Sequence, residues 1–229
     1  GMGAPTIASA KPTAAPPSPA EVSRYAEALL ARLPAAHTPR AAVPDPRGGP
    51  ALFRGARGAA AAGPHAPATG VALPAGTRLV LPSPNGSALS FGAAEAGARI
   101  VLAGCLRNAS AVGRAATALA GPDGVVTVIA AGERWNGATG PLRPALEDLL
   151  GAGAVLAALP EAGATPEAVV AADAFRAAAT RALADVLHRC ASGLEKAERG
   201  QSADVDLAAA HDVSGVVPHL VGAAFTSWS

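Results

Sequence analysis

The sequence predicts an α/β protein with a mainly parallel sheet, and three observations support that class. Three short apolar runs rich in β-branched residues, the pattern of strands covered on both faces, occupy residues 77–83, 98–104 and 124–132. Helix-compatible segments at 87–98 and 108–121 separate them, and this alternation is typical of βαβ units. The apolar residues are mainly Ala, Val and Leu, with only 3% aromatic residues, which suits helices and parallel strands.

The C-terminal part of the chain is predicted to be mainly helical. Leucines at helical spacing indicate a helix over 142–159, and a Thr-Pro-Glu start indicates a long helix over 165–190. Ser192 begins a capping-box pattern, and Asp204 opens a further short helix.

Residues 1–75 differ in composition from the rest of the chain. Pro, Gly, Ala and Arg dominate there, and apolar periodicity is scarce. The exception is 18–33, where Ser18 as N-cap and a helical apolar face predict one helix. Residues 35–74 support no prediction. The chain therefore divides into an N-terminal region, 1–75, and an α/β domain, 76–229.

Composition and charge exclude several classes of partner. The net charge is +1, from 18 basic and 17 acidic residues, so no basic field for nucleic acid exists. No apolar run reaches the roughly 18 residues of a membrane span. Cys105 and Cys190 are the only cysteines, too few for a disulfide scaffold. We therefore expect a cytoplasmic protein without nucleic-acid or membrane partners.

Polar residues follow each predicted strand, at the edge where an open parallel sheet binds ligands. The clusters are SPNGS at 83–87, GCLRNAS at 104–110 and AGERWN at 131–136. Small residues near a helix start favour a phosphate or a sulfonate. Neither a Walker motif nor GxGxxG is present, so nucleotide binding has no specific support.

Each cluster also has a purely structural interpretation. Asn85-Gly86 is compatible with a plain turn, and Asn108 and Ser110 are compatible with ordinary N-caps. About a dozen helix-compatible residues follow Asn85 before the next strand, which favours a strand-to-helix loop over a hairpin. Cys105 at a helix start is more simply a small core residue than a nucleophile.

The acidic residues carry the remaining alternatives. Glu133 follows a buried strand, where folding does not need a carboxylate, unless it pairs with Arg134 or Arg143. Glu147 and Asp148 lie inside an apolar helix, and adjacent helical positions differ by about 100°, so one approaches the buried side. A buried acid needs an Arg, a cap or a metal.

Asp212 is a further acid beside a loop. Its structural alternative is an N-cap or an Asx turn.

Four segments together resemble one known family. NGSALS, AGCLRNASAVGRA, AAGERWNGATGPLRPALEDLLGAGAVL and DVDLAAAHDVSGVVPHL are similar to the 2-phosphosulfolactate phosphatase (ComB) family, and the resemblance covers residues 76–225. It implies a three-layer α/β/α fold and a magnesium-dependent phosphatase. The implied reaction converts 2-phosphosulfolactate, a small anionic phosphorylated substrate, to sulfolactate and phosphate in coenzyme M biosynthesis.

The resemblance also implies roles for individual residues. Glu133 and Asp212 match acidic positions with catalytic roles, and Glu147 and Asp148 match positions that hold Mg²⁺. The residues implied to bind the substrate's oxyanions are Asn85, Gly86, Ser87, Arg107, Asn108, Ser110 and Arg134.

One part of the family pattern has no counterpart in residues 1–75. Family members begin with an apolar strand that ends in an Asp-Val-Leu motif, so we expect a sheet lacking one strand. Homo-oligomerisation or the 18–33 helix would then cover the gap. Two hypotheses follow: a phosphatase acting on a phosphomonoester of a small acidic metabolite, or a non-catalytic ligand-binding or structural protein derived from the family.

Overall fold

The computed structural model describes residues 6–12, 84–135 and 141–228. The predicted strand over 77–83 and the predicted helix over 18–33 lie outside these ranges. None of the helices in the described ranges is long and apolar enough to cross a membrane.

Helices make up most of the described chain after residue 84. They are α1 (Pro84–Glu95), α2 (Ala109–Ala120), α3 (Leu146–Ala157), α4 (Pro166–Ala179), α5 (Leu183–Arg189), α6 (Ala191–Glu198) and α7 (Ser202–Ala209), with a 3₁₀ turn, Leu106–Asn108, before α2. The strands are β1 (Thr6–Pro12), β2 (Leu102–Gly104), β3 (Gly124–Ile129), β4 (Glu133–Arg134), β5 (Leu142–Arg143), β6 (Pro218–Val221) and β7 (Ala224–Ser227).

The mixed α/β class is confirmed, but the prediction of a mainly parallel sheet is wrong for the described strands. Five strands form one sheet in the order β3-β1-β2-β6-β7, and β4 and β5 form a separate two-stranded ribbon. Each pairing between described strands is antiparallel. The three-layer arrangement stays a prediction.

Strand β1 explains why the parallel prediction fails. Ile7 pairs with Ala103 of β2 on one side and with Ile129 of β3 on the other. Because β2 and β3 are both antiparallel to β1, they run in the same direction, as their connection through α2 predicts, but they are not neighbours. The sequence pattern predicts no strand over 6–12, yet this segment lies inside the sheet.

Hydrophobic side chains alternate between the two faces of the sheet at Val101 and at Leu102, where β2 begins. Val101 joins a small cluster with Leu89 and Ala93 of α1. The next residue, Leu102, joins the larger cluster, which includes buried side chains from α2, α3, α4, α5 and α7. This period of two is the signature of a strand buried on both faces.

The long helix predicted over 165–190 is two helices, α4 and α5, separated by a left-handed residue. Ala182 has φ of 56° and lies directly before α5. Phe175 and Leu187 both contribute to the larger hydrophobic cluster. A straight helix would hold these two residues about 18 Å apart along its axis. The break therefore lets both side chains reach the same core.

Helices α3 and α4 pack closely because α3 has a glycine at their contact. A Cβ atom on Gly153 would overlap the carbonyl oxygen of Ala171 and lie 2.9 Å from the Cβ of Phe175. Any larger residue would separate the helices. The position of α3 matters because its first turn carries Glu147 and Asp148.

Candidate active site

Glu147 and Asp148 are both buried in the first turn of α3, with 8% and 6% of their surfaces exposed. Their side chains diverge, as expected for adjacent helical positions. The carboxylate of Asp148 accepts a hydrogen bond from the Gly132 N–H, next to Glu133. Glu147 Oε2 instead accepts one from Cys190 Sγ at 3.7 Å. The two acids therefore belong to different surroundings.

The environment of Asp148 opposes its ionisation. Burial is the largest cause, followed by the negative charges of Glu147 and Glu133, and together they raise the pKa of Asp148 to about 8. The Gly132 N–H offsets only part of this effect. Near neutral pH the Asp148 carboxyl group therefore holds a proton unless a cation lies beside it.

Glu133 is oriented by Asn85 from the first turn of α1. Asn85 Nδ2 donates to Glu133 Oε1 at 3.0 Å and to the carbonyl oxygen of Gly132 at 3.2 Å. The same Glu133 oxygen accepts the Arg134 N–H at 2.9 Å. The structure thus brings together three residues that the sequence singled out separately: Asn85, Glu133 and Asp148.

The Asn85-Gly86 dipeptide lies within α1, so it is not a hairpin turn. Gly86 is buried, and its carbonyl oxygen accepts a hydrogen bond from Ser90 Oγ at 2.7 Å. Ser87 also lies in the first turn of α1. This early helix start places the Asn85 amide against the β3–β4 connection.

Asp212 serves the N-terminus of α2. Its carboxylate accepts the Ser110 N–H at 2.8 Å and the Ser110 hydroxyl at 2.5 Å, while His211 Nε2 lies 3.2 Å away. Partial burial opposes ionisation, but the Ser110 hydrogen bonds and the positive charges of His211 and Arg114 lower the pKa of Asp212. The sequence predicts that the N-terminus of α2 binds an oxyanion. In the structure, the Asp212 carboxylate occupies that position.

Asn108 and Arg107 make hydrogen bonds within the protein. Asn108 Oδ1 accepts the Cys105 N–H at 2.8 Å, and its Nδ2 donates to the carbonyl oxygens of Ala103 and Val216. Arg107 Nη1 donates to the carbonyl oxygen of Leu207 at 2.5 Å. These contacts hold loops in place, and substrate binding by Asn108, Arg107, Ser110 and the half-buried Arg134 stays a prediction.

The environment of Arg143 does not follow from the sequence, which suggests Arg143 only as a partner for Glu133. Arg143 is 3% exposed, and its guanidinium contacts Ser192 and Glu195 of α6 instead. The sequence does hold one sign of a buried role for Arg143: it lies just before the helix that carries Glu147 and Asp148. Ser192 was also misassigned as the cap of α6, because Cys190 occupies that position and its Sγ accepts the Gly193 N–H.

Within the described ranges, no three His, Cys, Asp or Glu side chains form a cluster that could hold a metal ion. Glu133 and Asp148 are close enough for their charges to interact, and Asn85 adds an amide to this group. The arrangement therefore offers two carboxylates, which are oxygen ligands, and the Asn85 Nδ2 group orients one of them.

The fold and this group define a class: a mixed α/β protein with an acidic site between α1, the β3–β4 connection and α3. The family model described as 2-phosphosulpholactate phosphatase matches residues 70–223, so the chain belongs to that family. This confirms the resemblance and supports a phosphatase-like, ComB-like protein. A comparison with curated proteins finds no match.

Proposed function

We propose that this protein is a magnesium-dependent phosphatase that hydrolyses a phosphomonoester of a small acidic metabolite, with 2-phosphosulpholactate as the first substrate to test. The observation that carries the proposal is the buried Asp148 with the half-buried Glu133 as a charged neighbour, in a chain whose family match covers both residues. Acidic groups that oppose each other's ionisation in a water-poor setting fit a site that binds a cation from solution.

The chemistry of this pair suits Mg²⁺. This ion prefers oxygen ligands, keeps several waters and is commonly bound by one or two carboxylates together with substrate phosphate. Two carboxylates whose charges interact meet that requirement without a third acid. We therefore assign Glu133 and Asp148 as the proposed ligands, rather than Glu147 and Asp148, because Glu147 faces Cys190.

Each residue of the pair has a defined task in this proposal. A bound Mg²⁺ would supply charge neutralisation for the phosphoryl oxygens and acidify a bound water. Asn85 holds Glu133 Oε1 in a fixed orientation. Asp148 releases its proton when the cation arrives, so metal affinity rises with pH up to about 8, the pKa of Asp148.

The test measures phosphate release by the purified full chain from 2-phosphosulpholactate and other phosphomonoesters, with Mg²⁺ and with EDTA. We expect EDTA-sensitive turnover. Asp148→Asn and Glu133→Gln should each lower kcat/KM by about a hundredfold or more, the size typical of losing one preorganised electrostatic group. Turnover that persists in EDTA would exclude the metal-dependent mechanism.

Glu147→Gln is the matched control, since it changes an equally buried acid one position away. We expect this variant to stay within about tenfold of the parent, because Glu147 accepts a hydrogen bond from Cys190 and acts on Asp148 only through its charge. A folded parent that hydrolyses no phosphomonoester would favour the non-catalytic hypothesis.

A further inference from the structure

Arg143 holds a buried positive charge with one side of its guanidinium unused. Its Nη2 donates to Ser192 Oγ at 3.2 Å and lies 3.4 Å from Glu195 Oε1. Its Nη1 is buried and has no hydrogen-bond partner in the protein, the one such side-chain atom found in the described ranges. Buried donors nearly always have an acceptor, so this atom points to a group that the protein itself does not supply.

The surroundings of this atom favour an anion. Ser192 lies in the first turn of α6, where the helix dipole is positive. The Glu195 side chain is 44% exposed, so water screens its attraction to Arg143. A guanidinium is also well suited to bind a sulfonate, a carboxylate or a phosphate with two parallel N–H groups.

Trp135 covers the guanidinium on another side. The Arg143 Cζ atom lies 5.1 Å from the centre of the indole ring, and Trp135 is 51% exposed. A half-exposed ring between solvent and a buried charge provides an optical reporter for any ion that reaches Arg143.

The position of Arg143 relates this group to the acidic site. Arg143 on β5 is directly opposite Glu133 on β4. Residues opposite each other in an antiparallel pair project from the same face, with Cβ atoms about 5 Å apart. Arg143 and Glu133 therefore project from the same face of the β4–β5 ribbon, and a cationic group lies beside the acidic group to which Glu133 belongs.

We propose that Arg143 Nη1 and the Ser192 hydroxyl bind a second, non-reacting anionic group of the substrate, a sulfonate or a carboxylate. The phosphoryl group of the same molecule would lie at Glu133 and Asp148. This inference rests on the proposed function, and it explains how the site would select phosphomonoesters of acidic metabolites over neutral ones.

The binding test uses the full chain with Trp228→Phe, which leaves Trp135 as the single tryptophan. Inorganic sulfate is titrated while indole fluorescence is recorded. We expect a saturable change, with Kd raised about ten- to hundredfold by Arg143→Lys, because the lysine keeps the charge but loses the planar fork. Arg176→Lys, the same substitution at an exposed Arg, should leave Kd unchanged.

The kinetic test compares two substrates, 2-phosphosulpholactate and phenyl phosphate, which has no second anionic group. Arg143→Lys should raise KM about ten- to hundredfold for the first, with kcat within about threefold, and should not change KM for the second. Ser192→Ala should act in the same direction by a smaller factor. If Arg143→Lys does not fold, the comparison of the two KM values with Ser192→Ala tests the anion site on its own.

Three results separate the possibilities. An equal effect of the variants on both substrates, or no saturable response to sulfate in the parent, would make Arg143 a structural residue and overturn the inference. Arg143-dependent sulfate binding without turnover of any phosphomonoester would support the anion site while the proposed function fails. Turnover with KM unaffected by both variants would leave the proposed function standing and reject the anion site.

Discussion

Asp148 and Asp204 are both buried, with 6% and 2% of their surfaces exposed, yet the protein treats them in opposite ways. Asp204 accepts a hydrogen bond from Lys196 Nζ at 3.2 Å, and Lys196 is itself 4% exposed. The charges of Glu147 and Glu133 instead oppose the ionisation of Asp148. The buried Asp204 has a lysine beside it, whereas two further acids act on Asp148, and this contrast supports the proposal that Asp148 binds a cation from solution.

The largest expected effect comes from removing one partner of the buried Lys196–Asp204 ion pair. Lys196→Met should lower the free energy of unfolding by about 3–5 kcal/mol, because it leaves the Asp204 carboxylate buried without its lysine. Urea unfolding at pH 7 measures this. The double variant Lys196→Met with Asp204→Leu should recover most of the loss, since an apolar replacement of both partners leaves no buried charge. Equal instability of single and double variants would mean that Lys196 acts through packing alone.

The second prediction concerns pH and Asp148. Its pKa is about 8 in the folded protein against an ordinary value near 3.8, so the folded state binds this proton more tightly. The free energy of unfolding therefore falls as pH rises through this window, by about 1.4 kcal/mol per pH unit and roughly 3 kcal/mol between pH 5 and pH 7.

Asp148→Asn should remove that part of the pH dependence, and saturating Mg²⁺ should raise the parent's stability at pH 7 but not the variant's. Denaturant unfolding at several pH values, with and without Mg²⁺, provides the comparison. A parent and variant with parallel pH profiles would place the Asp148 carboxylate in solvent.

The smallest expected effect belongs to Asp212, whose partners are hydrogen-bond donors. Asp212→Asn should lower the free energy of unfolding by about 1 kcal/mol at pH 7, the usual size of a helix cap. Since the pKa of Asp212 is lowered, this stabilisation is present above its ordinary pKa and disappears as pH falls through the lower folded value. Thermal unfolding at pH 7 and pH 3 checks the sign.

Asp206→Asn is the control for Asp212. Asp206 Oδ1 lies 2.6 Å from His188 Nε2 in an exposed pair, so removing its charge should change stability by less than about 1 kcal/mol. If Asp206→Asn were as costly as Asp212→Asn, the effect at Asp212 would reflect lost surface charge and not capping of α2.

Local patterns in the sequence predict the helices well. Thr165 caps α4 through the Ala168 N–H at 3.3 Å, with Pro166 at the first helical position, as its sequence indicates. The break before α5 was not predictable, because no residue near Ala182 disfavours a helix. The bend is needed because Phe175 and Leu187 pack in the same hydrophobic cluster, and this is a tertiary contact.

Long-range contacts are what the sequence did not reveal. The sequence singles out the polar residues after the strands, but their partners depend on tertiary structure. Asn85 meets Glu133 across 48 positions, and Ser110 meets Asp212 across 102. Capping by a remote carboxylate has no local pattern, so the sequence cannot name Ser110 as the partner of Asp212. The catalytic role that the family resemblance implies for Asp212 stays a prediction.

Strand β1 also has a consequence for how the protein folds during synthesis. Its partners in β2 and β3 follow about a hundred residues later in the chain. Since the N-terminal part of a chain leaves the ribosome first, at about 5–20 residues per second, β1 waits for several seconds before either partner exists. The sheet therefore completes late, and the nascent chain exposes an unpaired strand to chaperones throughout that interval.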